Sequence, residues 1–450
     1  MPGTYSIADM GYVDHGGGPR AIDHTEMDHG ISVTDLKADP SRPADVTVGL
    51  VAREERFELA SGRSVEGYTV NGTSPGPQIT ARVGQLVEVR VRNESVSDGI
   101  SVHWHGVDVP NAEDGVAGVT QDAIHEGEEH TYRFVAEQVG SYWYHSHQVS
   151  DEQVRRGLFG ALVVLPAEDD DRLDVTALAH TYSGTRTING EEDTTHVDAD
   201  PGQVARVRVV NTDNGPVRVW SASSYRVLAI DGYDVNEPTA VEDKALSVAA
   251  GGRADLEVTA PARIQIGTAT ALVVGDTDEP RPSQPTAELD LLPYGTPAAL
   301  PFDPTEADRQ FRYSIGRKPG FIDGRPGYWW TVNGHLWPDV PMYLVEEGDV
   351  VVFRIENNSG KVHPMHLHGH HAVVLSRDGE PATGSPWWVD SVDVQDDETM
   401  EIAFLADNPG IWMDHCHNLN HASEGLVAHL MYAGVTTPFL LGRDSGNDPE

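Results

Sequence analysis

Gly84-Gln85-Leu86-Val87-Glu88-Val89-Arg90-Val91-Arg92-Asn93 decides the fold, because this pattern occurs three times. The second copy is Gly202-Gln203-Val204-Ala205-Arg206-Val207-Arg208-Val209-Val210-Asn211. The third is Gly348-Asp349-Val350-Val351-Val352-Phe353-Arg354-Ile355-Glu356-Asn357. Glycine and asparagine are nine residues apart in each, and an Asn-Gly pair precedes each copy: Asn71-Gly72, Asn189-Gly190 and Asn333-Gly334. Within the copies apolar residues alternate (Val87, Val89, Val91; Ala205, Val207, Val209; Val351, Phe353, Ile355), with Arg90, Arg208 and Arg354 between them. That is the period-two signature of a half-buried strand bounded by turns. Repetition on this scale marks a repeated structural unit. Strands of this length, punctuated by Gly, Pro and Asn and with few long 3.6-period runs, predict an all-β chain of sandwiches. A length of 450 residues agrees with three units at roughly 150 residues per domain. The expected boundaries are 40–167, 168–305 and 306–440, with an N-terminal tail over 1–39, partly irregular, and a C-terminal tail over 441–450. Residues 167–174, with an acidic run, read as the first linker. Residues 276–304, with seven prolines, read as the second.

Chemistry is carried by histidines and one thiol. Cys416 is the only cysteine, so an intrachain disulfide or an all-cysteine metal cage is excluded. It sits in His415-Cys416-His417, with His421 following. One cysteine, two histidines and a weak axial position make up the blue-copper ligand set. In an extended segment Cys416 faces one way and His415 and His417 the other. One short stretch can therefore serve metals on both of its faces, with a covalent electron path between them. Three more clusters accompany it: His103-Trp104-His105-Gly106, Tyr144-His145-Ser146-His147, and His363-Pro364-Met365-His366-Leu367-His368-Gly369. Together the clusters hold ten histidines. A blue-copper site takes two, and the remaining eight suffice for three further coppers.

On these four motifs, in this order and spacing, the chain resembles the multicopper oxidases, the family of laccases and cuprous oxidases. The resemblance implies a cupredoxin-like Greek-key β-sandwich for each repeat. The first and third meet to share a trinuclear copper cluster, and the second, with only His180 and His196, is a spacer without metal. It also implies four coppers per chain. The blue type 1 copper takes His363, Cys416 and His421. The type 2 copper takes His103 and His366. One type 3 copper takes His105, His145 and His417, and the other His147, His368 and His415. The axial position over the blue copper falls on Leu426, which has no donor atom; loss of a donor there favours reduced copper and raises the potential. The implied activity is one-electron oxidation of a donor near an exposed edge of His421 or His363. Electrons then pass through Cys416 to His415 and His417, and O₂ is reduced to water. That reduction consumes protons, so a buried acid is expected. Asp114, nine residues after His105, matches the family position, with Asp108 and Glu113 nearby. Bacterial relatives often place a glutamate directly after the second blue-copper histidine. Here the residue is Ala422, with Glu424 a candidate substitute. His370 and His371 are not ligand positions in the family and read as core or surface histidines.

The expected donors are phenols and aromatic amines, as in a laccase; the alternative is a metal oxidase acting on Cu(I), Fe(II) or Mn(II). Soft Cu(I) favours thioethers, and the eight methionines are scattered, with no cluster in the third repeat, which counts against specialised Cu(I) oxidation. A non-enzymatic copper-binding relative is disfavoured because no motif histidine is missing. Trp387-Trp388 and Asp390 either border the donor site or belong to the core. The segment Met10–His29, with Met10, His15, His24, Met27 and His29, reads as a mobile polar tail rather than a copper-capturing one.

A net charge of −40, from 71 acidic and 31 basic residues, disfavours nucleic acid and anionic membrane surfaces as partners. No apolar run reaches the length of a membrane span. The opening Met1-Pro2-Gly3-Thr4 lacks the basic segment and apolar core of a signal peptide, although the resemblance implies work outside the cytoplasm. A monomer is expected, since one chain carries the complete site.

Overall fold

In a computed structural model, residues 4–19, 30–168, 170–277, 280–322, 324–442 and 444–450 are described. Strands dominate, and among the described residues the only α-helices are Ser150–Arg155 and Leu419–Ser423. Strands between Val46 and Leu165 form two four-stranded sheets, and those between Leu173 and Glu288 two six-stranded sheets. Those between Arg309 and Tyr432 form a seven-stranded sheet and, with Tyr12–Asp14 added at its edge, a six-stranded one. Each pair of sheets encloses its own apolar core.

The repeat builds the same local structure three times. Strands Leu86–Asn93, Val204–Asn211 and Val350–Asn357 each pair in parallel with the first long strand of their unit: Val46 opposite Val87, Leu173 opposite Ala205, Arg309 opposite Val351. The closing asparagine is fully buried in all three. Its side-chain amide donates both to a carbonyl of the following loop and to carbonyls of a distant segment: Val96 and Ile124 for Asn93; Gly215, Val248 and Ala249 for Asn211; Lys361, Val394 and Gln395 for Asn357. That explains why asparagine recurs, since it satisfies loop carbonyls that would otherwise be buried without partners. The Asn-Gly pairs form turns with positive φ at both residues, 54° and 80° at Asn71-Gly72, the geometry these residues tolerate best.

Two sequence expectations change. Arg90 and Arg354 are exposed as alternation predicts, but Arg208 is buried at 1 % exposure, paired with Asp174 and Asp255 and bonded to Ser141. The middle strand packs against the first unit's Gly140–His145 strand, so its second face meets another sheet instead of water. The N-terminal segment is not a mobile tail throughout. Tyr12–Asp14 adds a parallel edge strand beside Pro341–Val345, and Ile7 and Met10 are buried in the third core. His24, Met27 and His29 lie outside the described residues.

Candidate metal centre

Strand pairing assembles the centre. His103–His105 runs antiparallel to Gly140–His145, with His103 opposite His145. His363–Leu367 runs antiparallel to Ile411–Cys416, setting His366 opposite His415 and Met365 opposite Cys416. The strand ending in His415-Cys416 alternates as expected. On one face the Cys416 sulfur lies 3.5 Å from His363 Nδ1 and 3.7 Å from His421 Nδ1. On the other, His415 Nε2 lies 3.1 Å from His368 Nε2.

Among the described residues five sets of side chains converge so that one potential ligand atom from each member lies within 4.8 Å of the others: His363, Cys416 and His421; His103, His105 and His366; His105, His145 and His417; His147, His368 and His415; and His103, Asp114 and His368. All are buried. Many of the ring nitrogens have no hydrogen-bond partner: His103 Nε2, His105 Nδ1, His145 Nε2, His366 Nε2 and both nitrogens of His147 and His417. Desolvation, with neighbouring imidazoles adding to it, pushes His105, His145, His147, His368, His415 and His417 well below the usual histidine range, so these rings are neutral donors. Neutral imidazoles with convergent lone pairs, beside one buried thiol, fit a cluster of soft metal ions. Leu426 is fully buried, and its carbonyl accepts the Cys416 N–H at 3.1 Å.

The second nitrogen of most rings is held by an oxygen, which fixes the tautomer and aims the other nitrogen inward. His103 Nδ1 is 2.9 Å from the Asp114 carbonyl, His145 Nδ1 is 2.9 Å from that of Ser146, and His366 Nδ1 is 2.9 Å from that of Asp390. His368 Nδ1 is 3.0 Å from the Asp114 carboxylate, which is 1 % exposed. Glu113, beside Asp114, points away to accept the Arg133 N–H, and burial pushes its carboxyl up to about 7. Asp108 accepts from Gln138 and lies 3.3 Å from His371 Nδ1.

Several supporting residues carry no signal in the sequence. Asp390, which the sequence leaves between donor site and core, is buried; its carboxylate takes both terminal guanidinium nitrogens of Arg253 at 2.5 Å and lies 3.1 Å from His105 Nε2. Burial opposes ionisation of Asp390, yet Arg253, with His105, His366 and His371, holds its carboxyl well below the usual range. Asp231 completes this network by accepting the backbone N–H groups of Arg253, Asp390 and Ser391. The middle unit, expected only to space the others, thus braces the centre. A Cβ on Gly251 would meet His105 at 2.8 Å and His417 at 2.9 Å, so only glycine lets that backbone pass behind both rings. Glu450 Oε1 lies 3.3 Å from His415 Nδ1, and Ser150 donates to its other oxygen at 2.9 Å. Hydrogen bonds from Gln148 to Gly446, from Asp448 to Gln148 and from Val149 to Asp448 hold the segment there. Val149 adopts a left-handed conformation (φ 49°), rare for a β-branched residue, where this segment docks. Ala422 and Glu450 line the same cleft of ≈ 850 Å³.

Around the thiol, His363 is fully buried with Nε2 2.8 Å from Ser359 Oγ, while His421 is 5 % exposed. Only His421 therefore keeps an edge toward solvent. The aromatic group in contact with both is Trp330, 4.6 Å and 4.4 Å from their ring centroids. Its indole N–H donates to Glu424 at 2.9 Å. Trp388 instead stacks on Tyr233 of the middle unit, and Trp387 lies under Arg377. His370 bonds Tyr432, His371 pairs with Asp108 and Asp390, and neither joins a ligand set.

Two family models described as multicopper oxidase match residues 52–169 and 304–434. Laccase-1 of Botryotinia fuckeliana is 31 % identical, with 82 % of this chain and 79 % of that protein covered. The multicopper oxidase MmcO of Mycobacterium tuberculosis is 28 % identical over 88 % of both chains. Among solved structures, a multi-copper oxidase from Pseudomonas thermotolerans superposes with a TM-score of 0.72 at 28 % identity, over 86 % of this chain and 99 % of that one.

Proposed function

The chain belongs to the multicopper oxidase family, as a laccase-like oxidoreductase that uses copper and O₂, and from that premise we propose what its individual residues do. His363, Cys416 and His421 hold the blue copper. His103 and His366 hold the type 2 copper. His105, His145 and His417 hold one type 3 copper, and His147, His368 and His415 the other. Copper bound there supplies one-electron acceptance from the donor and four-electron reduction of O₂ to water. The observation that carries this reading is the single strand presenting Cys416 to one pair of histidines and His415 to the other group.

The protein's own groups then divide the work. The backbone from Cys416 to His415 and His417 links the two sites covalently. Leu426 has no donor atom to offer a copper that Cys416 would hold, which would favour its reduced state and a high potential. Asp114 holds a proton position at His368 Nδ1 and is the acid in the buried site. Asp390 orients His105 and His366 through its carboxylate and carbonyl. Glu450 braces His415 from the cleft to which Ala422 contributes no carboxylate of its own. Glu450→Ala is expected to weaken copper retention about 10–100-fold, the usual range for a lost supporting group. Glu450→Gln, which keeps an acceptor, is expected to lose less. Copper content after dialysis against a chelator measures both, and equal retention by Glu450→Ala and the parent protein would refute the bracing role.

Phenols and aromatic amines are the donors we favour, oxidised by outer-sphere transfer at the His421 edge beside Trp330. Metal ions are the second reading, supported by the net charge of −40, which concentrates cations at the surface. Sandwich units at 40–167, 168–305 and 306–440, a monomeric state and a place of work outside the cytoplasm complete the proposal. The test is oxygen uptake by copper-loaded protein with a dimethoxyphenol. Rapid uptake yielding water and not peroxide, lost together with the blue colour in Cys416→Ser, is the expected result. Fully loaded, blue protein that consumes no oxygen with this donor sinks the phenol reading in favour of metal-ion donors.

A further inference from the structure

One buried imidazole in the third unit plays no part in the ligand sets above. His429, on strand Val427–Tyr432, is fully buried, and neither of its ring nitrogens has a hydrogen-bond partner. Buried polar groups are nearly always satisfied, so an imidazole with two orphaned nitrogens calls for an explanation. Burial also pushes its pKa down to about 3, leaving a neutral ring with an available lone pair.

The strand register supplies the rest of a donor set. His429 pairs with Met342 on the parallel strand Pro341–Val345 and with Met413 on the antiparallel strand Ile411–Cys416. Residues in register on adjacent strands project to the same face with Cβ atoms about 4.5–5.5 Å apart. That is within reach of a thioether on three rotatable bonds. Both methionines are buried, at 4 % and 0 % exposure. The ring centroid of Trp337 lies 5.8 Å from that of His429. Trp337, with Val427 two residues before His429, lines the ≈ 850 Å³ cleft, so His429 lies just behind the cleft wall.

Two thioethers and a neutral imidazole are soft, uncharged donors. They match Cu(I) and offer nothing to Mg²⁺, Ca²⁺ or Mn²⁺, which want oxygen. A monovalent ion also costs less to bury without a counter-charge than a divalent one, and an indole beside it adds cation–π stabilisation. We propose that Met342, His429 and Met413 form a binding site for one soft monovalent cation, Cu(I), separate from the four coppers of the oxidase centre. Its donors come from residues 342, 413 and 429, which explains why methionines that look scattered along the chain form a site only in the fold. The row continues toward the centre: the Met413 carbonyl accepts the His368 N–H at 3.0 Å, and His415 is two residues further along the strand. The site stands whether the enzyme's donor is a phenol or a metal ion.

The probe is Ag(I), a redox-silent stand-in for Cu(I), titrated into copper-loaded protein against a competing thioether chelator that strips silver from surface carboxylates. One Ag(I) per chain is expected beyond the four coppers, with nitrogen-15 shifts at the His429 ring. His429→Leu should abolish this binding, and Met342→Leu should weaken it about tenfold or more, with blue absorption unchanged. Met342 lies far along the chain from every proposed oxidase ligand, so its variant decides the matter even if Met413→Leu disturbs the centre. Failure to retain the extra silver in competition, or equal retention by His429→Leu, overturns the site.

Discussion

Replacing Arg253 by methionine is expected to destabilise the copper-free protein by about 3–5 kcal/mol, the usual penalty for leaving a buried charge without its partner. Both Arg253 and Asp390 have fully buried side chains, and the guanidinium meets the carboxylate through two bonds of 2.5 Å. Arg253 also donates from Nε to the Ser141 carbonyl at 3.0 Å, so one side chain links all three repeats. Denaturant unfolding of the copper-free protein isolates this effect from metal binding. A loss below about 1 kcal/mol, the scale of an exposed pair, would show that water reaches the network.

The same network predicts a pH dependence. Burial lowers the affinity of His371 for a proton, but Asp108 and Asp390 overcome this and raise its pKa to about 10. A raised histidine contributes stability that is complete below its unfolded value of about 6.5 and is lost as pH rises through its folded value. The stability difference between the parent protein and His371→Gln should therefore be largest near pH 6 and shrink as pH approaches about 10. Denaturation curves across that window test it, and a constant difference would mean that His371 stays neutral.

Asp114→Asn is expected to lower turnover about a hundredfold or more, the scale of a lost general acid. In the proposed assignment Asp114 belongs to the O₂-reducing side, with its carboxylate at His368 Nδ1 and its carbonyl at His103 Nδ1. The same proposal puts donor oxidation at the other site, around Cys416. Anaerobic bleaching of the blue colour by a phenol should keep its rate, while return of the colour on admitting O₂ should slow. Slowing of the bleaching step instead would place the role of Asp114 on the donor side and reject the assignment.

The sheet periodicity and the histidine motifs were legible because both are local in sequence, whereas the grouping of those histidines into ligand sets came from the family resemblance. A strand repeats every two residues, and His-x-His or His-Cys-His puts neighbouring donors on defined faces. What escaped notice is carried by long-range contact. Arg208 obeys the same alternation as Arg90, and alternation cannot tell a water-facing side from one covered by another sheet. Arg253, Gly251 and Glu450 stand among unremarkable neighbours, and their importance appears only when the middle unit and the 446–450 segment fold over the histidines. Trp330 carries no local mark that sets it beside His363 and His421, whereas the conspicuous Trp387-Trp388 pair packs against the middle unit.

The distribution of the ligand sets has a mechanical consequence. His105 and His417, like His147 and His368, come from opposite ends of the chain and meet across a contact between separate sandwiches. An ion gripped by such a set acts on the polypeptide as a crosslink, closing a loop of hundreds of residues. Loop-closure entropy grows only with the logarithm of length, and a crosslink of this span restricts the open chain by on the order of 5 kcal/mol. Three such closures share one small volume, so their restraints overlap and do not simply add. Metal held by these sets would thus also rivet the separately built sandwiches to one another. Copper loading would accordingly add to the mechanical cohesion of the molecule as well as supply its redox capacity.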